Sequence, residues 1–90
     1  MSSRESVEQV IRTALYDTLE ASRLRAFLST EASSDTDLVD AGVDSLDLVE
    51  LFLRIETLFS VTISADDYAQ LRSVASIVRY VDTRTASTSK

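Results

Sequence analysis

The chain has 90 residues, fifteen acidic and nine basic side chains for a formal net charge of −6, no histidine, no cysteine, no proline and a single glycine. That length holds one small domain, and the missing residue types remove disulfides, thiolate nucleophiles, cysteine-based metal sites and any Ser-His-Asp arrangement, which argues against an enzyme acting alone. The first seven residues, MSSRESV, form no apolar leader core, and no stretch approaches the roughly 18 apolar residues of a membrane span, so a cytoplasmic protein is expected.

One glycine and no proline leave little material for hairpins, which points to an all-α fold of helices joined by polar loops. Residues 4–20 place Val7, Val10, Ile11, Ala14, Leu15 and Leu19 at three/four spacing on one stripe, with Arg4, Glu5, Glu8, Arg12 and Asp17 mostly off it. Leu24, Phe27 and Leu28 fall out of phase with that stripe, so a break is expected near 21–23, followed by at most one short extra turn. Residues 29–37, STEASSDTD, have loop composition, and Leu38 and Val39 read as a loop anchor dipping into the core.

The best-defined element follows. Asp44 or Ser45 can cap a second helix, and Asp47 sits in its first turn, where a negative charge favours the positive end of the helix dipole. Val49, Phe52, Ile55, Glu56 and Phe59 fall on one side, broadened by Leu48, Leu51 and Leu58, while Glu50, Arg54 and Thr57 take the other. Leu46 and Leu53 project toward this polar face, an odd placement for a helix with ample apolar residues inward. The run SVTIS, 60–64, is too short for a sheet and reads as a loop. Ser64 or Asp66 can cap a short third helix reaching about Leu71, and Ser73 a fourth that turns Val74, Ile77, Val78 and Val81 inward. The expected fold is a small four-helix bundle, three longer helices and a short third one, with a long first loop. It forms a single domain over residues 1–82 and leaves 83–90, TRTASTSK in its last eight positions, as a disordered tail.

Charge is more informative by position than in total. Between Arg25 and Arg54 lie Glu31, Asp35, Asp37, Asp40, Asp44, Asp47 and Glu50, seven acids with no base. Such a block repels nucleic acid and anionic membranes and attracts basic proteins or cations. A calcium loop does not fit it: a frame starting at Asp35 puts Val39 at position five and Leu46 at twelve, and one starting at Asp37 puts Val39 at three and Leu48 at twelve. A hydrolase serine at Gly42-Val43-Asp44-Ser45-Leu46 lacks a base to activate it. In a third reading Ser45 is an attachment point, exposed at a helix start after a glycine turn, where a phosphodiester would lie near backbone N–H groups and the positive dipole end.

DAGVDSLDLVEL, residues 40–51, resembles the phosphopantetheine attachment motif of acyl carrier proteins, and helix order and acidity extend the resemblance over roughly 5–81. It implies that Ser45 receives 4′-phosphopantetheine from coenzyme A through a separate phosphopantetheinyl transferase, with Asp44 and Leu46 presenting it. It also implies partner recognition by Asp47, Glu50, Leu53 and Glu56, an acyl pocket lined by Val49, Phe52 and Phe59, and no catalytic residue or metal. The partners implied are acyl-loading and acyl-processing enzymes with basic docking surfaces, meeting a monomer that binds neither nucleic acid nor membrane. The connection from Leu19 to Asp35 is longer than is usual for the family, Arg54 interrupts the acidic face, and Thr57 stands where another acid is expected. GVDSL is similar to polyketide carriers and DLVEL to free-standing fatty-acid carriers. The cargo is therefore fatty acyl, polyketide or aminoacyl, and the rival class is a small adaptor whose acidic helix binds a basic partner and whose Ser45 is a cap or a phosphorylation site.

Overall fold

The computed structural model describes residues 3–88, with side chains from Ser6 to Thr85. It is all-helical: α1 (Ser3–Thr18), α2 (Ala21–Ser29), α3 (Ser45–Phe59), a 3₁₀ segment (Ala65–Gln70) and α4 (Val74–Thr88). No helix among the described residues is long and apolar enough to cross a membrane.

The stripe of α1 closes the core as its spacing requires. Ile11, Ala14 and Leu15 are buried, Leu19 is buried just beyond the helix end, and Val10 stays at the edge, 38% exposed. α1 packs against both α3 and α4. α3 contributes Leu48, Leu51, Phe52 and Ile55, and α4 contributes Val74, Ile77, Val78 and Val81. Each such aliphatic or aromatic side chain adds about 1.5–3 kcal/mol on burial, so these three helices hold the domain together.

The out-of-phase segment after α1 is a full helix, where one short turn was expected. The phase shift marks a bend between Thr18 and Ala21, after which α2 begins with its own short stripe. Its only buried residue is Phe27, tilted against Tyr16 at 6.5 Å between ring centroids. Leu28, on the far side, is 51% exposed.

The loop from α2 to α3 is held at three points. Ser34 Oγ donates to Glu8 Oε2 at 2.8 Å and accepts from the Arg12 guanidinium at 2.8 Å, while its carbonyl accepts the Ala75 N–H at 2.8 Å. Leu38 is fully buried and its N–H donates to the Arg72 carbonyl at 2.7 Å. Asp37 accepts the N–H groups of Val39 and Asp40 and takes both forks of the Arg72 guanidinium, at 2.8 and 3.2 Å. Leu38 is thus the expected anchor, whereas Val39 turns out, 41% exposed.

Ser60 ends α3 in the left-handed region, φ 55° and ψ 44°, with its N–H on the Glu56 carbonyl. Ser64 caps the 3₁₀ segment through the Asp66 N–H, and Ser73 caps α4 by a reciprocal pair of bonds with Ser76, each 3.1 Å. α4 continues to Thr88, through much of the stretch expected to be a tail; residues 89–90 of that expectation lie outside the described residues. Two local interactions favour the extension. The Arg84 guanidinium lies 4.4 Å from the Tyr80 ring centre one turn back, and it donates to the Tyr80 hydroxyl at 2.6 Å.

Candidate functional site

The chain reaches the site through a sharp turn. Val43 N–H returns to the Leu38 carbonyl at 2.9 Å, and between them Gly42 adopts φ 99°, a conformation that an L side chain rarely accepts. Asp44 then caps α3: its carboxylate accepts the Leu46 N–H at 2.9 Å, and its own N–H donates to the Asp47 carboxylate at 3.3 Å, completing a capping box. Ser45 is the first helical residue and is exposed. The first-turn amide of Leu46 is already taken by Asp44, so a phosphodiester on Ser45 would not find it free, in contrast to the sequence expectation.

Ser45 stands at the mouth of a cleft of about 200 Å³ between α3 and the 3₁₀ segment, lined also by Leu48, Val49, Phe52, Tyr68 and Arg72. Phe52 is its floor, 1% exposed and 4.7 Å from the Tyr68 ring centre. Val49 lies at the rim, 37% exposed. Phe59 does not line this cleft. It sits fourteen positions after Ser45, about 21 Å along the helix axis, and packs on the other end of the core. Tyr68 and Arg72 were missed by sequence reasoning, because nothing in the local pattern says which residue of a short 3₁₀ segment, or of the connection that follows it, faces α3.

Leu46 and Leu53 are exposed, at 76% and 54%, as their angular positions demand. Leu58, expected to broaden the apolar side, is instead 55% exposed. With Val10, Ala14 and Leu53 it lines a groove of about 610 Å³ between α1 and α3. The buried face of α3 is made by Leu48, Leu51, Phe52 and Ile55, and Leu58 is left on the wall of this groove.

The acids divide into two groups. Glu50 is exposed and pairs along the helix with Arg54 at 3.2 Å, a surface pair of the kind that contributes at most about 1 kcal/mol. Asp47 and Glu56, expected to face partners, are turned to internal tasks. Asp47 is 8% exposed and paired with Arg23 of α2; Glu56 accepts the Ile63 N–H at 2.7 Å and so ties down the loop after α3. Asp37 is held by Arg72, whose guanidinium keeps its carboxyl below the usual carboxylate range. Three of the seven clustered acids are therefore matched by Arg23, Arg54 and Arg72, none of them inside the 26–53 segment, which is why the sequence block looked unrelieved.

The site is thus an exposed serine on a capped helix that opens on a largely apolar cleft. Comparison with known proteins supplies the family. The family model of the phosphopantetheine attachment site matches residues 9–81. The chain is 44% identical over 45 residues to an acyl carrier protein of Chlamydia trachomatis serovar D, covering 50% of this chain and 58% of that one. It is 31% identical over 81 residues to an acyl carrier protein of Akkermansia muciniphila, covering 89% and 94%. A third, from Amoebophilus asiaticus, is 40% identical over 47 residues, covering 52% and 59%. The chain spans just over half the length of the first of these relatives. No solved structure matches it. The chain belongs to the acyl carrier protein family, with a phosphopantetheine attachment domain, and its cofactor is 4′-phosphopantetheine, held covalently.

Proposed function

We propose that Ser45 is the attachment residue and that the protein shuttles thioester-bound acyl intermediates between enzymes of fatty-acid, polyketide or related biosynthesis in the cytoplasm, without catalysing a step itself. The observation that carries this reading is the exposed Ser45 side chain at the first position of α3, opening on the cleft floored by Phe52 and Tyr68. When bound, the prosthetic group supplies a thiol on a flexible arm, where an acyl thioester is an activated donor at high effective concentration.

The chain's own residues position, shelter and release. The Asp44–Asp47 capping box fixes the direction of the Ser45 side chain at the helix start. Leu48, Val49, Phe52 and Tyr68 offer an apolar wall to whatever the arm carries. At about 200 Å³ the cleft is smaller than the roughly 300–1,000 Å³ of ordinary ligand pockets, so it shelters a short segment of cargo, and a longer chain requires α3 and the 3₁₀ segment to part. Leu46, Glu50 and Leu53 form the exposed face beside Ser45 that basic partner enzymes, the phosphopantetheinyl transferase first among them, would grip. Exposed charges accelerate encounter more than they deepen affinity, which suits a carrier that must let go.

The test is direct. Incubated with coenzyme A and a phosphopantetheinyl transferase, the protein gains the mass of one prosthetic group, and Ser45→Ala gains none. No gain by the native chain, as expected of a helical adaptor, or a gain that persists in Ser45→Ala, would overturn the assignment.

A further inference from the structure

α2 is joined to the site by one polar link. Its apolar docking rests on Phe27 against Tyr16, at the end of the helix remote from its start, whereas Arg23 in its first turn reaches across to pair with Asp47 of α3. Asp47 lies two residues after Ser45 and is the sole acid in the first turn of α3. Its carboxylate is occupied twice, by the Asp44 N–H and by Arg23. The Arg23 side chain keeps 37% of its surface in solvent, while the guanidinium nitrogen that meets Asp47 is itself buried.

We propose that Arg23 is a specificity-determining residue of this carrier: by pairing with Asp47 it withdraws the first-turn acid of α3 from partner enzymes, so that docking on the helix is read through Leu46, Glu50 and Leu53. The inference rests on the carrier function proposed above. A partner that would place its own cation on the first turn of α3 meets an arginine already there, and like charges at that point repel. A partner that seats an apolar side chain on Leu46 and Leu53 meets no such obstacle, and a cation one turn further along at Glu50 has only to displace Arg54 from an exposed surface pair, whereas Asp47 is buried against its arginine. Specificity of this kind works by rejection as much as by attraction, and here the rejecting element comes from a helix that has one buried side chain, Phe27, with Leu24 partly buried beside the core.

The experiment measures phosphopantetheinyl transfer from coenzyme A, by a transferase with a basic docking face, to the full-length native chain, Arg23→Gln, Arg23→Lys, Arg25→Gln and the double variant Arg23→Gln/Asp47→Asn. Helicity and thermal unfolding of each are recorded so that rates are compared among folded proteins. Arg23→Gln lowers KM about two- to fivefold at low salt, the range an exposed charge pair provides, with kcat unchanged and a steeper loss of rate as salt rises. Arg23→Lys retains the native KM. Arg25→Gln makes the same change in net charge from an exposed position on the same helix and also leaves KM unchanged. Adding Asp47→Asn removes the gain. Equal effects of Arg23→Gln and Arg25→Gln, or a raised KM in Arg23→Gln, would overturn the inference while native loading still upheld the carrier. A native chain that accepts no prosthetic group would remove both.

Discussion

Replacing Asp44 by asparagine and by alanine separates the two tasks of the residue that precedes Ser45. Its carboxylate accepts the Leu46 N–H at 2.9 Å, and its charge sits at the positive end of the α3 dipole. Asparagine keeps a side-chain acceptor and loses the charge, at a cost of about 0.3–1 kcal/mol. Alanine loses both, and the missing cap adds about 1 kcal/mol, for a total of roughly 1.5–2 kcal/mol. The reciprocal bond from the Asp44 backbone to Asp47 survives in either case, because its donor is the main chain. For a chain of 90 residues the unfolding entropy is about 0.2 kcal/mol/K, so asparagine should lower the midpoint by about 2–5 °C and alanine by about 8–10 °C. Thermal unfolding followed by circular dichroism reads the difference. An asparagine variant as unstable as the alanine one would show that the hydrogen bond to Leu46 does not hold the helix start. The same proteins, assayed for transfer from coenzyme A below their midpoints, report whether the transferase reads the charge: both variants should load more slowly than the native chain.

Other consequences can be checked independently. Glu8 is held below its ordinary value of 4.5, first by the Ser34 hydroxyl and then by Arg12, and Asp37 below 3.8 by Arg72. Lowered carboxylates stabilise the fold fully above their unfolded values and lose that contribution as pH falls through the folded ones. The thermal midpoint should therefore drop on acidification from about pH 5 downward, and Glu8→Gln with Asp37→Asn should flatten that acid limb. Ser60 occupies the left-handed region at the end of α3, so Ser60→Gly should stabilise the protein by about 0.5 kcal/mol, the relieved strain slightly exceeding the added chain entropy, measured by denaturant unfolding. Leu46→Ser removes an exposed side chain and should change stability by less than about 0.5 kcal/mol, yet raise the KM of enzymes that act on the loaded carrier.

Where one periodic face decides the outcome, the sequence was sufficient. The stripes of α1 and α4, the start of α3, the caps at Ser64 and Ser73 and the outward turn of Leu46 and Leu53 all follow from local spacing and short polar side chains. The failures are tertiary. α2 was hidden because its stripe, Leu24, Phe27 and Leu28, is only about one turn long and out of phase with that of α1, and because Leu28 stays in solvent. Asp47, in the first turn, and Glu56, on the apolar side of the helical projection, were both read as partner contacts and are claimed by Arg23 and by the Ile63 amide, from α2 and from seven residues further along the chain. Tyr68 enters the cleft because its ring packs on Phe52, and Arg72 because Asp37 and Leu38 hold it there, relations that no local pattern encodes. Phe59 illustrates the converse: its apolar character was evident, but distance along the helix removes it from the cleft.

The hydrogen bonds that fasten the loop before α3 have a bearing on when the protein becomes competent. Leu38 hangs from the Arg72 carbonyl, Ser34 from the Ala75 amide and Asp37 from the Arg72 side chain, so the turn that aims Ser45 is completed by residues made some thirty positions later. On the ribosome, helix α3 can form while the segment from 72 onward is still being threaded through the exit tunnel, but the serine is not yet held in its presented orientation. On the proposal that Ser45 carries the arm, a chain cut short before α4 should accept it more slowly than the native chain, because the serine is in place without the contacts from Arg72 and Ala75 that hold the preceding loop.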